Sequence, residues 1–120
     1  MDIYTEIILD LYKNPRNKGI LENPTHENFK NNPLCGDEIK VQLKVENNIV
    51  NEVKFNGNGC AISQASASLL TDKIKNMNTE EIKNLNKDDI LEILHIPISP
   101  GRLKCALLSL ETIKGALKNA

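Results

Sequence analysis

The sequence has few aromatic residues: they make up 3% of its 120 residues, and tryptophan is absent. A core built from this sequence must therefore consist of Ile, Leu, Val and Ala. An excess of one charge is also missing, because the formal net charge is -1 at pH 7. Nucleic acid and anionic lipid attract proteins through a basic field, which this balance does not provide. We therefore expect no nucleic acid and no membrane among its partners.

Long apolar segments are missing as well. No apolar run is long enough to span a bilayer. The N-terminus has neither the positive start nor the apolar stretch of a signal peptide. These absences predict a cytoplasmic protein, in a compartment that keeps thiols reduced. The length and the composition, with 26% charged and 40% hydrophobic residues, predict one globular domain over residues 1–120.

Cysteine is scarce, and the chain contains Cys35, Cys60 and Cys105. An odd number would leave one cysteine over in a disulfide framework, so metal or redox chemistry is the better interpretation. Each cysteine stands at the edge of a predicted helix or strand, and Asp37 follows Cys35 by two positions. Three thiols and one carboxylate form a ligand set that suits zinc or an iron–sulfur centre.

Alternating apolar residues predict a β-hairpin over residues 37–56. Its two apolar faces coincide if Val41 lies opposite Val53, which implies a three-residue loop, 46–48. The same register would put Asp37 opposite Gly57, and Cys35 opposite Gly59. A bulge at these glycines would turn Cys60 toward Cys35 and Asp37. We therefore expect Cys35 and Cys60 to be neighbours in space.

The remaining segments predict mostly helices. Helical spacing covers residues 2–13 and about 63–77, two short helices fall between 78 and 95, and a last helix begins near Pro100. The proline-flanked stretch 20–32 predicts a surface loop. Cys105 falls in the first turn of the last helix, where the helix dipole and the adjacent Lys104 favour a thiolate.

Simpler explanations exist for each of these residues. A lone cysteine is often a small buried hydrophobe, and a structural zinc site usually shows Cys-x-x-Cys pairs, of which the sequence has none. Asp37 would ordinarily be a turn residue or a solvated strand end that contributes little packing. His26 is better explained as a loop residue and His95 as a helix-end residue. The three serines Ser63, Ser66 and Ser68 lack the partners of a nucleophilic triad and are better explained as helix-packing residues.

Four motifs, in this order, make the chain resemble the U-type iron–sulfur cluster assembly proteins, which comprise IscU, SufU and the N-terminal domain of NifU. The motifs are YKNPRNKG at 12–19, NPLCGD at 32–37, GNGCAIS at 57–63 and KCA at 104–106. The resemblance covers nearly the whole chain. It implies an α+β fold, in which a small three-stranded antiparallel sheet packs against helices and a long helix ends the chain.

The same resemblance implies the site residues and the partners. Cys35, Asp37, Cys60 and Cys105 match the family's ligands for zinc or for a 2Fe-2S cluster. Cys35 by similarity to SufU, and Cys105 by similarity to IscU, match residues that accept sulfur as a persulfide from a cysteine desulfurase. Lys104 stands where IscU proteins have histidine and is the expected additional cofactor-binding residue. Recipient apo-iron–sulfur proteins are the other expected partners, and the chain is expected to be a monomer or a weak homo-oligomer.

Two functions follow from the resemblance, and the sequence leaves both open. The first is a non-enzymatic scaffold that assembles a 2Fe-2S cluster and passes it to apo-proteins. The second is a zinc-dependent sulfurtransferase of the SufU type. Two features are closer to SufU: the basic residue Lys104 and the degraded chaperone-binding motif at 98–102. The segment between Cys60 and Cys105 is closer to IscU, because it is too short to contain the SufU insertion. A plain structural zinc domain is the third interpretation.

Overall fold

The computed structural model describes residues 2–33 and 36–118, in which a three-stranded antiparallel sheet packs against helices. The strands, in the spatial order β1-β2-β3, are β1 His26–Asn32, β2 Asp37–Glu46 and β3 Ile49–Asn56. The helices are α1 Ile3–Lys13, α2 Ala61–Ile74, α3 Thr79–Lys83, α4 Lys87–Leu94 and α5 Leu103–Lys118, and a 3-10 turn at Pro100–Arg102 leads into α5. The expected α+β class, the three-stranded sheet and the long C-terminal helix are confirmed.

The core lies between one face of the sheet and the helices α2 and α5, which also pack against each other. The side chains that fill it are aliphatic except for Phe55, as the composition requires. The fully buried members with the largest side chains include Phe55, Ile39, Leu43, Leu70, Ile74, Ile82, Ile90 and Ile113. None of the helices described within 2–33 and 36–118 is both long and apolar enough to cross a membrane.

Strand β1 corrects the expectation that residues 20–32 form a surface loop. The strand has the sequence HENFKNN, which is polar except for the exposed Phe29, and it lies at the edge of the sheet. None of its side chains is fully buried, so its sequence shows no apolar alternation and escapes detection by pattern. It is anchored instead by pairing with β2 and by Asn28, whose Nδ2 donates to the carbonyl of Thr112 in α5 at 3.2 Å.

The β2–β3 register is also different from the expected one. Val41 lies opposite Phe55 instead of Val53, so the predicted pairing is wrong by two residues. The turn contains two residues, Asn47 and Asn48, both with positive φ, and the register shifts again between Lys44 and Val45. A two-residue turn with positive φ suits the twist of a hairpin, and asparagine tolerates that conformation. Up to Lys44 the predicted faces are kept, because a shift of two leaves each side chain on its own side. Beyond the irregularity Val45 pairs with Val50, so Val50 is buried in place of the predicted Ile49.

The helices agree with the sequence apart from their limits. Helix α1 ends at Lys13 as expected, and the two short helices α3 and α4 are present. A capping box between Asn86 and Asp89 starts α4. Helix α2 runs from Ala61 to Ile74, earlier at both ends than the predicted 63–77. This earlier start makes Cys60 the N-cap residue of α2.

Candidate metal centre

Three of the four expected ligands meet in space, each delivered by a different element. Asp37 begins β2, Cys60 caps α2, and Cys105 lies in the first turn of α5. One ligand atom from each residue lies within 4.8 Å of the other two. Asp37 and Cys105 are each 2% exposed, whereas Cys60 is half-buried. Cys35, the fourth expected ligand and the expected neighbour of Cys60, lies outside the described residues.

Glycine at position 57 lets the chain cross close to the start of β2. Gly57 has a φ of +133°, and a Cβ there would collide with the carbonyl oxygen of Glu38. The next residue, Asn58, accepts a hydrogen bond from the Glu38 amide at 2.8 Å. The close crossing carries Cys60 to Asp37. The glycines were expected to form a bulge with Asp37 opposite Gly57, but Asp37 instead lies beside Gly59, where a Cβ would come within 3.0 Å of its Oδ1.

Asp37 is bound to the helix that carries Cys60. The backbone N–H of Cys60 donates to Asp37 Oδ1 at 3.1 Å. Amides in this position, at the start of a helix, have no partner within the helix, and a negative charge there is stabilised by the helix dipole. The expectation of a solvated strand end is therefore wrong, because Asp37 is buried and holds the N-terminus of α2. A carboxylate has two oxygens, so this bond is compatible with metal ligation.

The position of Cys105 depends on the contact between α2 and α5. The hydroxyl of Ser66, in α2, donates to the carbonyl of Ala106 at 2.6 Å and lies 3.3 Å from Ser109 Oγ. The bond to Ala106 fixes α5 at the residue after Cys105. Ser63, Ser66 and Ser68 are all buried, as expected for helix-packing residues. They were expected to let α2 pack closely on the sheet, but the partners of Ser66 lie in α5.

The donor set fits a thiolate-binding metal such as zinc or iron. Tetrahedral zinc at about 2.3 Å from each sulfur places two thiolates about 3.8 Å apart. The observed limit of 4.8 Å requires only a small contraction. Neither histidine belongs to this group: His26 is the first residue of β1, and His95 ends α4 and stacks on Tyr4.

Lys104, the expected additional cofactor-binding residue, lies on the surface. Its side chain is exposed and lines a depression together with residues 31–33, at the end of β1, and with Leu108 and the acidic Glu111 of α5. Arg102 is exposed as well. Positive charge is therefore present beside the buried Cys105, on the surface.

One motif has a structural role that the sequence did not disclose. The segment after α1 docks on α2: the Arg16 amide donates to Ser68 Oγ at 3.2 Å, and the Arg16 guanidinium lies 3.0 Å from Asp72. Asn17 Nδ2 donates to Asp72 at 3.1 Å and to Thr71 at 3.0 Å. The Asn17 hydrogen bond, followed by that from Arg16, holds the pKa of Asp72 below its usual value. The sequence predicted a turn at residues 14–19. It could not predict that Arg16 and Asn17 bind α2, because their partners lie at least 52 positions away in the chain.

Comparison with known proteins shows which family the chain resembles in sequence and in fold. The family described as the NifU-like N-terminal domain matches residues 3–119. The zinc-dependent sulfurtransferase SufU of Bacillus subtilis is 38% identical, over 97% of this chain and 90% of the relative. The iron–sulfur cluster assembly scaffold protein IscU of Escherichia coli K12 is 35% identical, over 95% of this chain and 91% of the relative.

A similar solved structure is that of a candidate iron–sulfur cluster assembly scaffold for the SUF system from Fervidobacterium islandicum AW-1. It superimposes with a TM-score of 0.81 at 28% identity, over 93% of this chain and 94% of that one. The resemblance to SufU, IscU and NifU, inferred from four motifs, is thus confirmed.

Proposed function

The chain belongs to the NifU-like N-terminal domain family, and from that membership we propose that it is a scaffold for iron–sulfur cluster assembly. The relative named as the IscU scaffold spans nearly the whole chain, which supports the same function. The observation that carries the proposal is the convergence of Asp37, Cys60 and Cys105, from three separate elements, within 4.8 Å. A buried carboxylate beside two thiols is an arrangement that a plain helical packing role does not need.

In this proposal the cargo is a 2Fe-2S cluster held by Cys35, Cys60, Cys105 and Asp37. Thiolates hold iron firmly, whereas the carboxylate is a harder and more labile ligand. The site therefore combines retention with release, as a carrier requires. The exposed ammonium of Lys104 adds positive charge beside a cluster that carries negative charge from its four anionic ligands.

The proposed partners are a cysteine desulfurase, which supplies sulfur, and apo-iron–sulfur proteins, which receive the cluster. Metal or cluster binding needs reduced thiols, so the chain acts in the cytoplasm in this proposal. Residues 1–120 act in this proposal as one domain, as a monomer or a weak homo-oligomer.

Anaerobic reconstitution with iron, sulfide and a reductant tests the scaffold proposal. The intact protein should give a coloured species with thiolate-to-iron absorption. Cys60→Ser and Cys105→Ser should lose it, because a serine hydroxyl is a far poorer ligand at neutral pH, whereas Ser99→Ala, outside the ligand set, should keep it. A folded wild-type protein that stays colourless would overturn the proposal.

A zinc-dependent sulfurtransferase is the second candidate, and the 38% identical SufU relative favours it. Zinc would then be bound by the same four residues until the desulfurase engages the site. A freed thiolate attacks the outer sulfur of the desulfurase persulfide, so one S–S bond forms as another breaks and no external oxidant is needed. Cys35 and Cys105 are the candidate acceptors. The burial of Cys105 counts against it as the first acceptor in this conformation.

Trapping the persulfide after mixing with desulfurase and cysteine, followed by mass spectrometry, distinguishes the two functions. Zinc-dependent stimulation of desulfurase turnover with a persulfide on Cys35 would support the transferase. Retention of a reconstituted cluster through gel filtration would support the scaffold. Persulfide formation at either cysteine would dismiss the structural zinc domain.

A further inference from the structure

A second polar depression lies beside the metal centre, and the functions proposed above do not use it. It is lined by Tyr12, Lys18, Asn58, Gly59 and Gln64. These residues come from the end of α1, the segment that follows it, the crossing after β3, and the first turn of α2. Gly59 forms part of its wall and is followed directly by the expected ligand Cys60.

Gln64 is the unusual residue in this depression. Its side chain is 4% exposed, and its Nε2 has no hydrogen-bond partner among the residues that the structure describes. Buried amide donors are nearly always paired, so an unpaired one in a native fold points to a ligand or another acceptor. The backbone of Gln64 is ordinary, since its N–H donates to the Cys60 carbonyl at 3.0 Å. The unpaired donor is therefore the side-chain amide alone, and Gln64 is one of the residues that line the depression.

The other lining residues also carry donors. Lys18 supplies an ammonium, Asn58 an amide and Tyr12 a hydroxyl, and no acidic side chain lines the depression among the described residues. The N-terminal end of the 14-residue helix α2 adds a partial positive charge. Donors and positive charge that converge on one small concavity favour an anion with oxygen acceptors.

We propose that this depression is a carboxylate-binding subsite. A carboxylate has two oxygens in one plane, which allows one to accept from Gln64 Nε2 while the other faces the Lys18 ammonium. Because Gly59 lines the subsite, the bound carboxylate lies next to the residue that precedes Cys60. The carboxylate belongs either to a small molecule or to an acidic side chain of a bound protein. The subsite does not depend on whether the metal centre holds a cluster or zinc.

Titration of the full-length, isotope-labelled protein with sodium acetate, against sodium chloride at matched ionic strength, tests the subsite by NMR. The side-chain amide of Gln64 and the backbone amide of Gly59 should shift and saturate with acetate. The amides of Cys105 and Ala106, which do not line the depression, should not. Shifts confined to Cys105 and Ala106, or shifts that chloride reproduces, would overturn the proposal.

Variants of the lining residues sharpen the test. Gln64→Leu and Lys18→Gln should each weaken acetate binding about tenfold, because each removes one charge-assisted hydrogen bond. Lys13→Gln removes an exposed charge on the last turn of α1 and should change the affinity less than twofold. Gln64→Leu removes an unpaired donor, so its urea midpoint should not fall. An unchanged acetate affinity in Gln64→Leu, or an equal loss in Lys13→Gln, contradicts the subsite.

The source of the carboxylate is settled by a parallel titration with the blocked peptide acetyl-Ala-Glu-Ala-amide. Binding of the peptide at least tenfold tighter than acetate, lost in Lys18→Gln, assigns the subsite to an acidic side chain of a partner protein. Equal affinities assign it to a free small carboxylate. If neither probe saturates the Gln64 signal, the proposal is wrong.

Discussion

Replacing Asp37 with alanine should weaken both the fold and the metal centre, for separate reasons. The carboxylate is 2% exposed and accepts the Cys60 amide at 3.1 Å. Its loss removes a charge-assisted hydrogen bond and leaves a helix-terminal N–H without this acceptor, a cost of about 2 kcal/mol. With a urea m-value of about 2 kcal/mol/M, the midpoint should fall by about 1 M. The melting temperature should fall by about 8 °C.

Asp37→Asn separates the two roles of the residue. Asparagine keeps a side-chain oxygen that accepts from the Cys60 amide, so about half of the lost stability should return. A neutral amide is nevertheless a poor metal ligand, so zinc affinity should fall in both variants. Loss of a residue that only orients a ligand costs roughly tenfold in metal affinity, and loss of a ligand itself should cost at least as much. Urea unfolding of the metal-free variants and zinc competition against a chromophoric chelator measure the two effects.

Equal losses of stability in Asp37→Ala and Asp37→Asn would refute the capping argument. Zinc affinity unchanged in both would refute ligation by Asp37. In the cluster-loaded protein, Asp37→Ala should slow transfer to an apo-ferredoxin more than it weakens assembly, because the thiolates still anchor the iron and the labile ligand is gone. Transfer as fast as in the wild type would show that Asp37 does not control release.

Three further changes test how the site is held. Ser66→Ala should cost about 1 kcal/mol and weaken zinc binding, because it loosens α5 at Ala106; urea unfolding and zinc competition measure this. Gly57→Ala should lower the urea midpoint strongly, because the new Cβ would collide with the Glu38 carbonyl. Gly101→Ala is the matched control and should be near neutral, because a Cβ at Gly101 meets nothing within 4 Å. Asp72→Asn should cost about 0.5–1 kcal/mol at pH 7, a small value because the Asp72 side chain is 40% exposed. Because the folded-state pKa of Asp72 is lowered, this difference should disappear as the pH falls through that pKa, which unfolding curves at several pH values measure.

The sequence predicted the parts of the fold that depend on local patterns. Apolar periodicity located α1, β2, β3 and α5, and cap signals located the short helices α3 and α4. It failed for β1, because an edge strand of seven polar or exposed residues carries no period. It also failed for the hairpin register, since alternation fixes which face a residue is on but not which residue it pairs with. That choice was made by the Asn47–Asn48 turn and the bulge near Val45.

The sequence predicted that Cys60 lies near Asp37, which the structure shows, but not the contacts that bring Cys105 to them. The meeting of Asp37, Cys60 and Cys105 depends on the crossing at Gly57 and the Ser66–Ala106 bond, both of which join distant parts of the chain. The burial of Asp37 follows from the same tertiary contacts and contradicts the local expectation for a strand end. Cys35 stays a prediction of the sequence and the family.

The hydrogen bond between Cys60 and Asp37 has a consequence for a site that must lose its cargo. A buried carboxylate with no acceptor role and no metal is costly, and it tends to force the surrounding structure open. Here Asp37 accepts from the Cys60 amide without any metal, so the bond would persist when a proposed metal leaves. The Ser66 bond to Ala106 holds α5 beside α2 independently of any ligand. In the proposed function these contacts would keep the spacing of Asp37, Cys60 and Cys105 without a metal, so that release would not require unfolding and reloading would not require folding.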